Sequence, residues 1–457
     1  MPRFRRLYGI MRTMQRIGIF VERHRAWGRR VCEGICAFAQ ERHDWSLAIL
    51  ERADFKSPAA LASFDGFISR VPDAEIADAL RRTGRPVADL TCEDASQNLF
   101  PHGVRQDNVE IGRLAARHFL DHLFENFAFC GYAERRFSRE RELAFVESLR
   151  QSRKSAAVYH APAAALRDYD ASTSRQETFA RAPDARSLAR WLKSLPKPVA
   201  VLCANDYRAT QLLKVCADAG LAVPGDVAVL GIDNDTLVCN FATPTLSSID
   251  PDAESIGRSA AEMLSDALRR RSASRSARIV KPKGLVARDS TETFPVKPAW
   301  LSDALVFIRR NVGRVRASDV YAAVGRSHTR VDAAFRDRLG TTVQAELRRV
   351  ALDEAQRLLE TTALPVADIA ARTGFSTLQY FSNVFAASRG HAPTRHRASS
   401  RSPAPRRSPR PTPPCSPSAA TTRRPETSPS GSTTPSSRRS SPPRTPTWRS
   451  PATTPGS

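Results

Sequence analysis

Short apolar runs, each followed by an amphipathic stretch, recur between residues 17 and 232 of this 457-residue chain, and few folds accommodate that alternation. The runs at 17–21, 47–50, 65–69, 87–90, 127–132, 199–204 and 227–232 are short and bounded by turn signals. They read as strands of parallel sheets buried on both faces, with the intervening segments as covering helices. One helix is expected near residues 26–40. Residues 104–123 read as a turn leading into another, with Ile111, Leu114, Ala115, His118 and Phe119 on one face. The run at 127 opens a second lobe of the same kind, continued by a helix from about Ser138. Two similar lobes imply a cleft between them.

Ligands of open parallel sheets bind beyond the carboxyl ends of the strands. Those positions hold Asn205 and Asp206 after one strand, and Asp233, Asn234 and Asp235 after the next. Carboxylates and amides there suit vicinal hydroxyls. The same residue types also cap helices that follow strands, so position alone leaves both roles open.

The eight cysteines are scattered, without paired zinc-type spacing. Cys32 and Cys36 share a helix face near His24 and His43, which fits buried thiols better than a metal site. No metal and no cofactor is expected. The basic opening residues precede only a short apolar run that Glu22 to Arg25 interrupt, too short for a signal sequence. No run approaches the ~18 apolar residues of a membrane span. The expectation is a cytoplasmic, reduced protein with no membrane partner.

Charge points to a different partner. The 70 Lys+Arg against 47 Asp+Glu leave a net +23, which favours a polyanion such as nucleic acid. From Arg401 to Ser457, ten arginines against one glutamate supply +9 of this, alongside 15 of the 32 prolines. That segment holds too little apolar surface to offset its ordering entropy and is read as a disordered tail. It either adds nonspecific attraction for DNA or is an inert extension.

Between the two lie helices. Leu301, Leu305 and Ile308 share a face after Pro298. Two helix-turn-helix patterns follow. In the first, from Ser318, Gly325 makes the turn and Ser327 caps the second helix, with Val320, Val324, Val331 and Phe335 as its core. In the second, from Val366, Gly374 and Thr377 take those places, with Ile369, Phe375, Phe381 and Phe385 inside. Val343, Leu347, Val350, Ala351, Ala355 and Leu358 mark a connecting helix that sets the separation of the units.

These motifs carry a family resemblance. "AND" at 204–206, "VPGDVAVLGIDND" at 223–235 and "TPTLSSID" at 243–250 resemble the ligand-binding half of lactose-repressor-type regulators and periplasmic sugar receptors over residues 15–290. The double helix-turn-helix ending in "RGHAPTRHR" resembles arabinose-operon-type activator domains over about 303–397. The combination resembles the xylose-operon type of regulator. It implies an α/β two-lobed periplasmic-binding-protein-like sensor at 15–290, an all-α double helix-turn-helix domain at 298–400 and the disordered tail at 401–457.

The resemblance also assigns residues. It places Asp233, Asn205, Asp206 and Arg141 on sugar hydroxyls, with Arg135, Arg136 and Arg139 as rivals of Arg141. Trp27 either stacks on the sugar face or packs in the first helix. For DNA it implies His328, Thr329 and Asp332 on the first recognition helix, and Leu378, Gln379 and Asn383 on the second. Ala333, Ala334, Ala386 and Ala387 stand where the family often has basic residues, so Arg330, Arg336, Arg395 and Arg397 are expected to supply phosphate contacts. The implied partners are operator DNA, an aldopentose such as D-xylose, RNA polymerase and a second copy of the chain. A transport receptor would not need the helix-turn-helix units. An enzyme lacks support, since there is no P-loop, GxSxG or HExxH motif. One departure from the family is the short connection at Glu125 and Asn126, between a helix and a strand.

Overall fold

The computed structural model describes residues 14–90, 100, 102–163, 165, 182–269 and 277–401. The tail expected to be disordered lies, beyond Arg401, outside the described residues.

The apolar runs form two six-stranded sheets. The first lobe is built from β1 (Gln15–Phe20), α1 (Ala26–Arg42), β2 (Trp45–Ile49), α2 (Pro58–Ala62), β3 (Gly66–Ser69), α3 (Ala74–Arg82), β4 (Val87–Asp89) and β5 (His102–Gln106). The second lobe holds α4 (Asn108–Asp121), β6 (Asn126–Gly131), α5 (Arg136–Gln151), β7 (Ala156–His160), α6 (Ala185–Ser194), β8 (Val199–Cys203), α7 (Asp206–Ala219), β9 (Val227–Ile232), α8 (Thr236–Phe241) and β10 (Ser247–Asp250). The chain then returns, through α9 (Ala253–Leu268), to pack on the first sheet. β11 (Arg278–Val280) joins that sheet beside β5, and β12 (Gly284–Val286) pairs antiparallel with β10 in the second. The sheet orders are β11-β5-β4-β3-β1-β2 and β12-β10-β9-β8-β6-β7, parallel except at β12.

Burial explains why these runs are strands. Ile17, Phe67, Ile68, Val201, Leu202, Val229 and Leu230 are fully enclosed between covering helices. Each such side chain contributes about 1.5–3 kcal/mol when removed from water. Helices start where a side chain caps them: Asp73 for α3, Asp107 for α4, Asn205 for α7, Asp235 for α8 and Asp252 for α9. Residues 102–106 are the strand β5 rather than part of a turn, because Val104 and its neighbours pair with β4 and β11. The short connection before β6 is a tight one, closed by Leu123 at φ 62 with Phe124 buried beneath it.

After a 3-10 turn at Asp289–Thr291 the chain becomes helical: α10 (Ala299–Arg310), α11 (Ala317–Ala323), α12 (His328–Leu339), α13 (Val343–Thr361), α14 (Val366–Arg372), α15 (Leu378–Arg389) and α16 (Pro393–Arg401). α13 passes through two small cores. Its first half packs with Leu301, Ile308, Val320, Val331 and Phe335, and its second with Ile369, Phe381 and Phe385. Gly325 and Gly374 make the turns, at φ 61 and 84. At Gly374 a methyl group would lie 2.6 Å from the Cα of Gly313, so the second unit touches the loop after α10 backbone to backbone.

Two local expectations are corrected. Ser327 occupies the N-cap of α12 but its side chain accepts no capping hydrogen bond, whereas Thr377 accepts one from the Tyr380 amide at 3.1 Å. Arg397 is not placed for phosphate. Its guanidinium turns inward to donate to the Leu364 carbonyl at 2.5 Å and so pins α16 to the start of the second unit.

Candidate functional site

A cleft with about 570 Å³ of empty space, part of it open to solvent, lies between the two lobes. Its lining comes from strand ends and the segments just after them: Glu22, Arg25 and Trp27 after β1, Arg70 after β3, Leu90 after β4, Gln106 at the end of β5, Phe137 and Arg141 on α5, Asn205 after β8 and Asp233 after β9. Four of the five residues expected at the ligand are therefore brought together: Asp233, Asn205, Arg141 and Trp27.

Asp206 is not among them. Its carboxylate turns behind β9, accepting from the Ser248 hydroxyl at 2.6 Å and the Asp235 amide at 2.9 Å. Gly231 makes room for it, since a methyl group there would lie 2.2 Å from its Oδ1. Burial first, and then the charge of Asp233, push its pKa well above the usual carboxylate range. The correction has a simple cause: at the start of α7, successive side chains leave the helix in different directions, so only one of the Asn205–Asp206 pair meets the cleft. Asn205 serves both roles left open by the sequence, capping α7 through its Oδ1 to the Arg208 amide at 2.9 Å while lining the cleft.

The charges in the cleft hold one another. Arg70 donates to Glu22 at 2.8 Å. Burial works to raise the Glu22 pKa, but Arg70 outweighs it and keeps the carboxylate below its ordinary value. Arg141, almost fully buried, donates to the Asn108 side chain at 3.0 Å and to the Ala204 carbonyl. Each cleft arginine also lies over an aromatic ring: Arg25 over Tyr207, Arg70 over Trp27 and Arg141 over Phe137, at 5.9, 5.9 and 5.0 Å. Asp233 is pushed up to about 6, chiefly by burial, with Arg141 and Arg25 opposing. Its backbone sits at φ 117, a strained position for an aspartate and one that aims it into the cleft.

Two polar atoms in this lining are buried without a protein partner, the indole N–H of Trp27 and the side-chain oxygen of Gln106. An unmet donor and an unmet acceptor in the walls of one cleft each cost free energy until a partner reaches them. Among the described residues no group of three or more His, Cys, Asp or Glu is placed to hold a metal. None of their helices is long and apolar enough to cross a membrane.

The second candidate surface is on the helical region. His328, Thr329 and Arg330 stand exposed at the start of α12, and Leu378, Gln379 and Asn383 on α15. Neither helix has an acidic residue in its first turn, which leaves both positive helix ends open to an anion. Arg395 is exposed on α16. Asp332 differs from the rest: it is half-buried, and both carboxylate oxygens accept from the Tyr321 hydroxyl at 3.2 Å, so it clamps α12 to α11.

Comparison with known proteins matches this two-part construction. Residues 116–291 match the periplasmic binding protein-like domain, and residues 320–399 match a helix-turn-helix domain. The xylose operon regulatory protein of Escherichia coli K12 is 26% identical over 392 residues, spanning 84% of this chain and 96% of that protein. The chain is a transcription regulator homologous to the xylose operon regulators. The regulator is also 24% identical over 390 residues to the xylose operon regulatory protein of Haemophilus influenzae, spanning 84% of this chain and 98% of that one. The solved structure of a xylose-binding transcription activator shares its fold, with a TM-score of 0.53 at 24% identity over 85% of this chain and 99% of that one.

Sequence reasoning missed Glu22, Arg25, Arg70, Leu90, Gln106 and Phe137 in the regulator's cleft. A signal existed for two of them: Glu22 and Arg70 directly follow the runs read as strands at 17–21 and 65–69, the same positional rule that found Asn205 and Asp233, whereas Gln106 ends a strand that reads in the sequence as a turn.

Proposed function

We propose that this chain is a sugar-responsive activator in which an aldopentose, D-xylose, binds the interlobe cleft and the two helix-turn-helix units read operator DNA. The observation that carries the sugar assignment is the unpaired Trp27 donor and Gln106 acceptor among paired charges and aromatic faces. Planar guanidiniums, carboxylates and amides supply directional bonds to hydroxyls, and Trp27 and Phe137 supply faces for the C–H side of a sugar ring. The xylose-named relatives favour D-xylose among pentoses.

In this reading residues 15–290 are the sensor and 298–400 the DNA-binding domain. Asp233, Asn205, Arg141 and Trp27 contact the sugar together with Glu22, Arg70 and Gln106. His328, Thr329 and Arg330 read one major groove and Leu378, Gln379 and Asn383 the next, with Arg395 on phosphate. A cytoplasmic homodimer on direct repeats, engaging RNA polymerase at sugar-catabolic promoters, completes the proposal. Ligand acts by binding one lobe arrangement more tightly than the other.

The test is a titration of the full chain with D-xylose, L-arabinose, D-ribose and D-glucose, read by tryptophan fluorescence. A saturable response to D-xylose at the lowest concentration is expected, and it should disappear in Trp27→Phe if the reporter is in the cleft. Saturable binding of another sugar alone would replace the ligand, and silence toward all four from folded protein would overturn the sugar reading.

A further inference from the structure

We infer that α4 carries the state of the cleft to the DNA-binding helices, reading it through Asn108 at its first residue and delivering it at its C-terminal end to Arg309 on α10. This rests on the cleft being the ligand site. The chain crosses between the lobes at the start of α4, because β5 belongs to the first sheet while α4 packs on α5 of the second lobe. Lobe motion therefore acts on this helix directly.

At its N-terminal end Asn108 is buried and engaged at both ends of its amide. Its Oδ1 accepts from Nε of the cleft residue Arg141 at 3.0 Å, and its Nδ2 donates to Glu140 at 2.8 Å. Asn108 is thus a positioning residue for Arg141, and a ligand that draws on the guanidinium pulls on α4. The helix has 14 residues, about 21 Å of rigid rod.

Its other end is built into the junction with the helical region. Arg309 donates to the Asp121 carbonyl at 2.9 Å, a cation on the negative end of the helix. The His122 ring stacks on Phe294 at 4.8 Å, and Arg309 lies over that same ring at 5.3 Å. His118 bonds to Thr291, in the connection that leads to α10, at 3.0 Å. Beyond Arg309, Leu301 and Ile308 of α10 lie in the core of the first helix-turn-helix unit. Arg309 and Asp353 of α13 line the same groove, and Asp353 binds Arg389 of the second recognition helix. Both DNA-reading units are therefore within a few contacts of the end of α4, whose other end touches a cleft arginine. A rigid element engaged at both ends meets the physical requirement for coupling, and the coupling itself is measurable.

The experiment is amide hydrogen exchange of the full chain, followed on peptides covering α10. Asn108→Ala, without any ligand, should change exchange there by roughly 3-fold or more. Saturating D-xylose should shift the same peptides in the unaltered chain. In an Arg309→Met background both effects should vanish, while Arg309→Lys, which keeps a cation near the Asp121 carbonyl, should retain part of them. Asn108→Ser repeats the first arm if the alanine variant unfolds. Unchanged α10 exchange in the folded Asn108 variant, or effects that survive Arg309→Met, would overturn the inference. If D-xylose does nothing while the Asn108 effect appears and depends on Arg309, the proposed ligand fails and the role of α4 stands.

Discussion

In the cleft, Glu22, Arg70, Arg141 and Asp233 are drawn out of bulk water and hold one another or nearby backbone in place. On α12 and α15, His328, Thr329, Arg330, Gln379 and Asn383 stand in solvent, and the side-chain bond between Gln379 and Asn383, at 3.2 Å, joins two exposed groups. A sugar offers weak, neutral hydroxyls, so its site must be desolvated and preorganised before those bonds count. DNA brings dense charge and broad grooves, so in the proposed reading the residues that meet it stay hydrated until the duplex arrives. The same residue types therefore serve a closed site in one region and an open surface in the other.

The sharpest break of this contrast is Asp233→Ala. Removing a charged acceptor that lines the cleft should lower sugar affinity by about 100-fold or more while leaving ligand-free DNA binding intact, measured by calorimetry and by operator titration on the same sample. Equal loss in both assays would mean that the cleft and the helices are not separate sites.

The pH dependence of stability comes next. Asp233 has its folded pKa raised to about 6, so the folded state holds its proton more tightly than the unfolded chain does. Stability from this group is present at low pH and is lost as pH rises through the range from about 4 to 6, on the order of 2–3 kcal/mol in all. Asp233→Asn, which cannot ionise, should then melt higher than the unaltered chain at pH 8, with the gap roughly halved at pH 5 and closed below about pH 4. A pH-independent gap would show that desolvation of the carboxylate is not the cause.

On the open surface the effects are smaller. Gln379→Ala should weaken operator binding by about 1–3 kcal/mol at one base position without changing sugar affinity. Arg395→Ala should weaken all sequences alike and reduce the salt slope by about 1. The smallest effect separates the two helix starts: Thr377→Ala should cost about 1 kcal/mol of stability, whereas Ser327→Ala, which loses no capping bond, should be close to neutral in chemical denaturation.

The regions also differ in how far they were legible. Both recognition helices were marked by Gly325 and Gly374 with periodic apolar residues around them, because a helix-turn-helix is a local object whose exposed face follows from its buried one. The tie of Asp332 to Tyr321 was not legible, because it runs between two helices of that unit. The cleft was harder. Asn205 and Asp233 were reachable through the strand-end rule, and Glu22 and Arg70 satisfy it too, yet the rule also pointed to Asp206, whose carboxylate turns away from the cleft, and it could not reach Gln106, whose strand reads locally as a turn.

By itself, the sequence determined the alternation of buried strands and covering helices, the two small helical cores and the side chains that start α4, α7 and α15, since these depend on residues a few positions apart. Only the tertiary structure decided which strand-end residues meet across the cleft, that Arg70 neutralises Glu22 from 48 positions away, and that Arg309 closes the end of α4 from 188 positions away. Such pairings are made when distant strands share a sheet or when lobes and domains pack together, and no local period in the chain records them.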